Sequence, residues 1–216
     1  RSPLIVMRFN FLFSRAVGID IADRSIEVVE LRQRGGLPRG KAGGARITAL
    51  GRVALPAGVM ERGAIKDQPA LAAAVREAFR GAETVEGRKK RSPAIRPRQI
   101  VFGLPDSQVY IHSFARLWSA APKGDEALGA MILAEAGEHI PLAESDLLLS
   151  YKILQRTDTG LDFLIAAVSR RLVDDWQRFF AELGLRPEFD LETIATFRGI
   201  FPESVERPVM MIDCGA

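Results

Sequence analysis

The chain has 216 residues, 47% of them apolar, with 26% charged and a formal net charge of +3. That length suits one large domain or two small ones, and that apolar content supports a packed core and excludes a disordered chain. The single cysteine, Cys214, excludes an intrachain disulfide and favours a reducing compartment. The two histidines, His112 and His139, stand in no Cys/His pattern with zinc spacing, so no zinc site is expected.

The longest apolar runs, such as residues 163–168, are far too short to span a bilayer. The chain opens with Arg1, and Met7 is a candidate start. The stretch Met7 to Arg15 mixes large apolar residues with Arg8 and Arg15 and lacks a secretory cleavage pattern. It reads as a leading segment packed on the first strand, or as a piece that lies on a membrane surface or a partner.

In chain order, residues 16–21 and 26–31 read as two strands joined by the turn Ala22-Asp23-Arg24-Ser25. A basic, glycine-rich loop follows, with five cations between Arg32 and Arg46 and no acidic residue. Residues 46–55 form a third strand, ended by Pro56-Ala57-Gly58. Asp67 then caps a helix with Pro69 in its first turn, and Leu71, Val75, Ala78 and Phe79 recur at helical spacing. A second basic stretch, residues 81–98, reads as a solvated connection. Attraction to an anionic membrane surface is the functional version of both basic stretches. Nucleic acid is not an expected partner, because no aromatic residues interleave with the cations.

A second unit begins with strands at 100–104 and 109–114 around Pro105-Asp106-Ser107. A helix opens at Asp125 and is stopped by Pro141, and strands at 147–154 and 163–168 flank the turn Thr157 to Gly160. The expected pattern is ββαββ, one amphipathic helix over a sheet. A further helix presents Leu172, Trp176, Phe179, Phe180 and Leu183 on one face and closes at Gly184. A short strand at 185–189, a helix from about 191 to 200 and a last strand at 208–212 complete the chain.

Two strand ends carry an Asp followed by small residues: Gly18-Ile19-Asp20-Ile21-Ala22-Asp23-Arg24-Ser25, and Ile212-Asp213-Cys214-Gly215-Ala216. A carboxylate at a strand tip suits Mg²⁺, and N–H groups in a turn of small residues suit phosphate. The pair points to part of a larger nucleotide-binding protein.

These motifs, taken in order with Leu55-Pro56-Ala57-Gly58-Val59, Gly63-Ala64-Ile65-Lys66-Asp67, Gly103 to Val109, Glu135-Ala136-Gly137-Glu138-His139-Ile140-Pro141, Tyr151-Lys152-Ile153-Leu154 and Ala181 to Pro187, resemble the PilM family of type IV pilus assembly proteins. That family is actin-like and related to FtsA. The resemblance implies an α/β, actin-like (ribonuclease H-like) first lobe with an inserted small α+β, SHS2-like subdomain, and a truncated second lobe. The expected divisions are 16–95 for the first part of the lobe, 96–169 for the insertion, 170–206 for the return to the lobe, and 207–216 for the second lobe's first strand.

The resemblance also implies ATP and Mg²⁺ as cofactors. Gly18, Asp20, Ala22, Asp23, Arg24, Ser25, Asp213 and Gly215 would line the phosphates, with Asp20 and Asp213 near the metal. Ala22 and Asp23 depart from the family's usual Gly and Ser or Thr, and Ser150 replaces a common Asp. Implied partners are the cytoplasmic N-terminal tail of a PilN-like membrane protein and other pilus platform proteins, with the protein on the cytoplasmic side of the inner membrane. No catalytic base is visible, so at most slow ATP hydrolysis is expected. The competing readings are a GspL-like type II secretion platform, an FtsA-like division protein and an actin-fold sugar kinase.

Overall fold

The computed structural model describes residues 15–33, 45–85, 88–117, 124–200 and 209–212. The chain divides into two compact units: residues 108–176 form the smaller, and residues 10–107 with 177–216 the larger.

The larger unit is built on a seven-stranded sheet. Its strands are β1 (Arg15–Ile21), β2 (Ser25–Gln33), β3 (Ala45–Ala54), β6 (Ala82–Val85), β7 (Arg88–Arg91), β8 (Gln99–Leu104) and β12 (Arg186–Leu191), in the order β12-β8-β1-β2-β3-β6-β7. Strands β1, β2 and β3 form an antiparallel meander. The first hairpin is closed at Ala22, whose N–H donates to the Ser25 carbonyl at 2.9 Å. Between β3 and β6 the chain makes a small hairpin, β4 (Met60–Glu61) and β5 (Ala64–Ile65), and then helix α1 (Gln68–Phe79). Strand β6 lies parallel to β3, so this is a β–helix–β crossover.

Helix α1 starts as its sequence dictates: Asp67 accepts a hydrogen bond from the Ala70 N–H at 2.9 Å, and a proline occupies the first turn. Leu71, Val75 and Ala78 are fully buried beneath it. The second basic stretch differs from expectation, because its residues 82–85 and 88–91 pair as strands β6 and β7. Strand β7 is the sheet's edge and reads Arg-Lys-Lys-Arg, with no apolar alternation, because main-chain pairing at an edge does not require it.

One buried carboxylate ties the meander together. Glu30 on β2 is 5% exposed and accepts from Arg15 Nε at 2.7 Å, Arg32 Nε at 3.0 Å and Thr48 Oγ1 at 2.7 Å. Burial pushes its pKa up, but the Thr48, Arg15 and Arg32 hydrogen bonds outweigh burial and hold it below the ordinary 4.5. A depressed folded-state value means full stabilisation above the unfolded pKa and loss as pH falls through the folded one. Glu30→Gln is therefore expected to cost about 1–3 kcal/mol at neutral pH. The gap between wild type and variant in urea-unfolding midpoint should close on acidification below 4.5. A gap that stays constant down to acid would show that the charge contributes nothing.

The smaller unit holds a three-stranded antiparallel sheet, order β10-β11-β9, with β9 (Val109–Leu117), β10 (Leu147–Arg156) and β11 (Gly160–Ser169). Helix α2 (Asp125–His139) covers one face. Ile132, Ala136 and Ile140 close a core with Leu147, Leu149, Leu161, Phe163, Ile165 and Ala167, in step with the strand alternation. The expected ββαββ pattern differs here in one strand. β8 runs parallel to β1 and β12 in the larger sheet, leaving βαββ in the smaller unit. Residues 100–104 alternate buried and half-buried, as a strand between two others must, whereas an edge strand of a small sheet would need one wet face.

Helix α3 (Arg170–Glu182) is capped by Ser169, whose Oγ accepts from the Leu172 N–H at 3.4 Å. Asp146 supports that cap, accepting from Ser169 Oγ at 2.8 Å and the Arg171 N–H at 3.2 Å. The Ser169 hydroxyl lowers the Asp146 pKa, burial pulls it part of the way back, and Arg171 and Arg170 lower it further. At the other end Gly184 has φ +72°, and the Leu185 N–H reaches the Phe180 carbonyl at 2.9 Å. This is the left-handed cap that the glycine predicts. Val173, Trp176, Phe179 and Phe180 are buried. Helix α4 (Glu192–Ile200) follows β12 directly and is tied back to it through Asp190 and Arg198. No strand forms at 209–212.

Candidate functional site

Strands β1, β8 and β12 are mutually parallel neighbours, so their carboxyl ends emerge together at one edge of the larger unit. In open α/β sheets this is the edge where ligands bind, because the turns there present backbone groups and helix starts. Three turns meet at it: residues 20–25 after β1, 105–107 after β8, and 191–193 entering α4.

The β4–β5 turn locks these pieces together. Arg62 and Gly63 are the two central residues of a two-residue hairpin, with φ +50° and +73°. That geometry is a type I′ turn, and it leaves both N–H groups pointing outward. Asp23 takes them: Oδ2 accepts from the Arg62 N–H at 2.9 Å and Oδ1 from the Gly63 N–H at 3.2 Å. From the other side Ser107 Oγ donates to the Arg62 carbonyl at 3.2 Å. Gly63 has no room for a side chain, since a Cβ would lie 2.7 Å from Pro105 Cβ. Asp106 closes the ring by accepting from the Thr193 N–H at 3.4 Å and from its hydroxyl, while Glu192 accepts from the Asp106 N–H at 3.4 Å.

Of the expected phosphate and metal residues, Asp20 stands exposed at the end of β1, and Arg24 is exposed in the turn. The Ala22 N–H and the Ser25 carbonyl are spent on the hairpin's own hydrogen bond. Both Asp23 oxygens are occupied by the β4–β5 turn, so this carboxylate has a structural task that the sequence reading did not assign. A Cβ on Gly18 would meet nothing within 4 Å, so packing within the chain does not require glycine there. Asp213 and Gly215 lie outside the described residues.

Mg²⁺ takes oxygen ligands and keeps several waters, and Asp20 presents one exposed carboxylate at the end of β1. Asp23 as it is held does not fit a phosphate contact. Asp23→Ala should free the Arg62–Gly63 turn and cost about 1–2 kcal/mol. It should also raise amide exchange at residues 62–63 without altering the smaller unit. Unchanged exchange there would contradict the latch.

In the smaller unit the two histidines, which linear spacing did not connect, converge on one buried glutamate, Glu135. Among the described residues, His112, Glu135 and His139 are the one group of three such side chains close enough to share an ion. The expectation of no zinc site rested on spacing along the chain. The pairing of β9 beneath α2 brings together positions 27 apart. The Glu135–His139 spacing of four residues, one face of a helix, was the signal in the sequence that could have prompted the question.

The fold defines the class first: an α/β chain with the architecture of an actin-like first lobe carrying a small inserted unit. The family model for type IV pilus assembly protein PilM matches residues 18–216, and the chain belongs to that family. Among solved structures, a "PilM-PilN type IV pilus biogenesis complex" is similar at TM-score 0.63 and 21% identity over 86% of this chain. This chain covers 49% of that one, so it spans about half its length. The cytoplasmic domain of EpsL, an inner-membrane component of the type II secretion system of Vibrio cholerae, matches at TM-score 0.49 and 13% identity, covering 84% of this chain and 59% of that one. A protein from Bacteroides thetaiotaomicron with an actin-like ATPase fold and unknown function matches at TM-score 0.36 and 7% identity, covering 87% and 55%. No curated protein matches the chain. Of the readings weighed on the sequence, the pilus assembly family is the one the comparisons support.

Proposed function

We propose that this chain forms part of a nucleotide-responsive scaffold on the cytoplasmic face of a type IV pilus assembly platform, holding the short cytoplasmic tail of a PilN-like membrane protein. The observation that carries this reading is the family match across residues 18–216, joined by the shared fold with the complex of PilM and PilN. No helix among the described residues is long and apolar enough to cross a membrane, which is consistent with recruitment through a partner's tail.

Asp20 would hold Mg²⁺ at the carboxyl end of β1, with Arg24 beside it to offset phosphate charge and Gly18 behind it in the strand. Asp213 and Gly215 would supply the second loop. ATP in this role is a ligand that favours one arrangement of the whole protein and is hydrolysed slowly at most. The other platform proteins and an anionic membrane surface are further partners on this reading.

The full-length protein, titrated calorimetrically with the tail peptide of the PilN-like protein, should bind it with micromolar affinity. No heat with or without Mg-ATP would overturn the scaffold reading. Asp20→Ala should weaken Mg-ATP at least tenfold, about 1.4 kcal/mol or more. Equal nucleotide affinity in the variant would remove Asp20 from the site and leave tail binding as a separate question.

A further inference from the structure

The smaller unit carries a group of side chains that the nucleotide and tail-binding reading does not use. Glu135, on the last turn of α2, is 6% exposed. Its Oε1 lies 3.2 Å from His112 Nε2 on β9 and 3.4 Å from His139 Nε2, one helical turn further along α2. Its Oε2 is bound by the Arg116 guanidinium. The two imidazoles stack with centroids 4.2 Å apart, so both rings turn the same edge towards the carboxylate.

Three ligand atoms within 4.8 Å of one another, of the kinds N, N and O, are the raw material of a metal site. A tetrahedral ion with bonds of about 2.0–2.1 Å needs ligand atoms roughly 3.3 Å apart. Both histidine-to-carboxylate spacings meet that requirement, and because the two rings lie nearly face to face, 26° apart, a turn of the imidazoles about their side-chain bonds is what aims both Nε2 lone pairs at one ion. The set comes from rigid elements, a strand and a helix that share one packed core, so little order must be created on binding.

The surrounding residues suit a bound ion as well. Arg116 fixes the carboxylate through the oxygen that faces away from the histidines, as an outer-sphere partner does in known metal sites. Arg116 is itself held over the Phe114 ring at 5.1 Å, and Phe114 stacks on the core residue Phe163 at 5.0 Å. The His139 side chain is 46% exposed and that of His112 is 27% exposed, so an ion could enter from solvent and keep a water as its fourth ligand.

We propose that His112, Glu135 and His139 form a binding site for a divalent transition-metal ion of the zinc class, clamping the end of α2 to β9. Two imidazoles and one carboxylate favour Zn²⁺, Ni²⁺ or Cu²⁺ over Mg²⁺ or Ca²⁺, which prefer all-oxygen sets. The site is distinct from the Asp20 turn and stands whether or not nucleotide binds there.

The test uses untagged, full-length protein titrated with Zn²⁺ alone by calorimetry, and with Co²⁺ followed by visible absorption. One equivalent should bind in the micromolar range, and Co²⁺ should show the intense ligand-field bands of a four-coordinate site. His139→Ala and His112→Ala should each weaken Zn²⁺ at least tenfold while keeping the wild-type circular dichroism. Mg²⁺ at millimolar concentration should not compete.

No saturable Zn²⁺ binding would overturn the proposal, as would undiminished affinity in either histidine variant. A sulfur-to-cobalt charge-transfer band would place the ion on a cysteine and overturn it equally. The Co²⁺ spectrum of wild type decides the matter even if a variant fails to fold.

Discussion

Phe180→Ala is expected to destabilise the protein by about 3–5 kcal/mol, the cost of removing a fully buried aromatic ring and leaving its cavity. Phe180 is completely buried and meets Phe102 edge-on at 5.1 Å and Phe179 at 5.2 Å. Phe102 lies at the centre of β8, in register with Ile19 on β1 and Phe189 on β12. The ring therefore supports the three parallel strands whose ends carry Asp20, Asp106 and the start of α4. Against a total stability of about 5–15 kcal/mol, the loss would be a large part of the whole. Urea or thermal unfolding measures it directly. A loss below about 1 kcal/mol would mean that the neighbouring rings collapse into the space, and that this cluster does not hold the site's strands.

The second large effect is expected at Gly51, where even one methyl group has no place to go. A Cβ there would lie 2.0 Å from the Ala78 carbonyl oxygen and 2.9 Å from Val28 Cγ2. Val28 is the residue paired with Gly51 across the sheet, and Ala78 is on the buried face of α1. To make room α1 must lift from β3 by about 1 Å, which parts the fully buried Leu71, Val75 and Ala78 from the sheet. Gly51→Ala should therefore cost about 3 kcal/mol, towards the upper end for an overpacked core. Gly18→Ala is the control: nothing within 4 Å meets its added carbon, and the change should stay within about 0.5 kcal/mol. Equal effects at the two glycines would show that the close helix–sheet contact is not what Gly51 provides.

Both effects concern features that a linear reading sees only in outline. Local chemistry was legible. Asp67 before Pro69 opens a helix, Gly184 ends one, and the apolar alternation in 16–21 and 26–31 makes a hairpin, because each signal acts between near neighbours along the chain. The family, and with it the fold class, was legible from short motifs in order. The role of Asp23 was not. Its partners Arg62 and Gly63 lie 39 and 40 positions away, and a carboxylate beside a turn reads equally as an anion-repelling departure or a latch.

The sequence by itself determined the local elements, the caps and the kinship, because these depend on periodicity and on backbone preferences of neighbouring residues. Only the tertiary structure assigned β8 to the larger sheet, paired residues 82–85 and 88–91 as the last two strands beyond β3, and set His112 beside Glu135 and His139. Sheet membership and side-chain convergence are long-range outcomes, settled by which apolar faces bury against one another, and no window along the chain contains both partners.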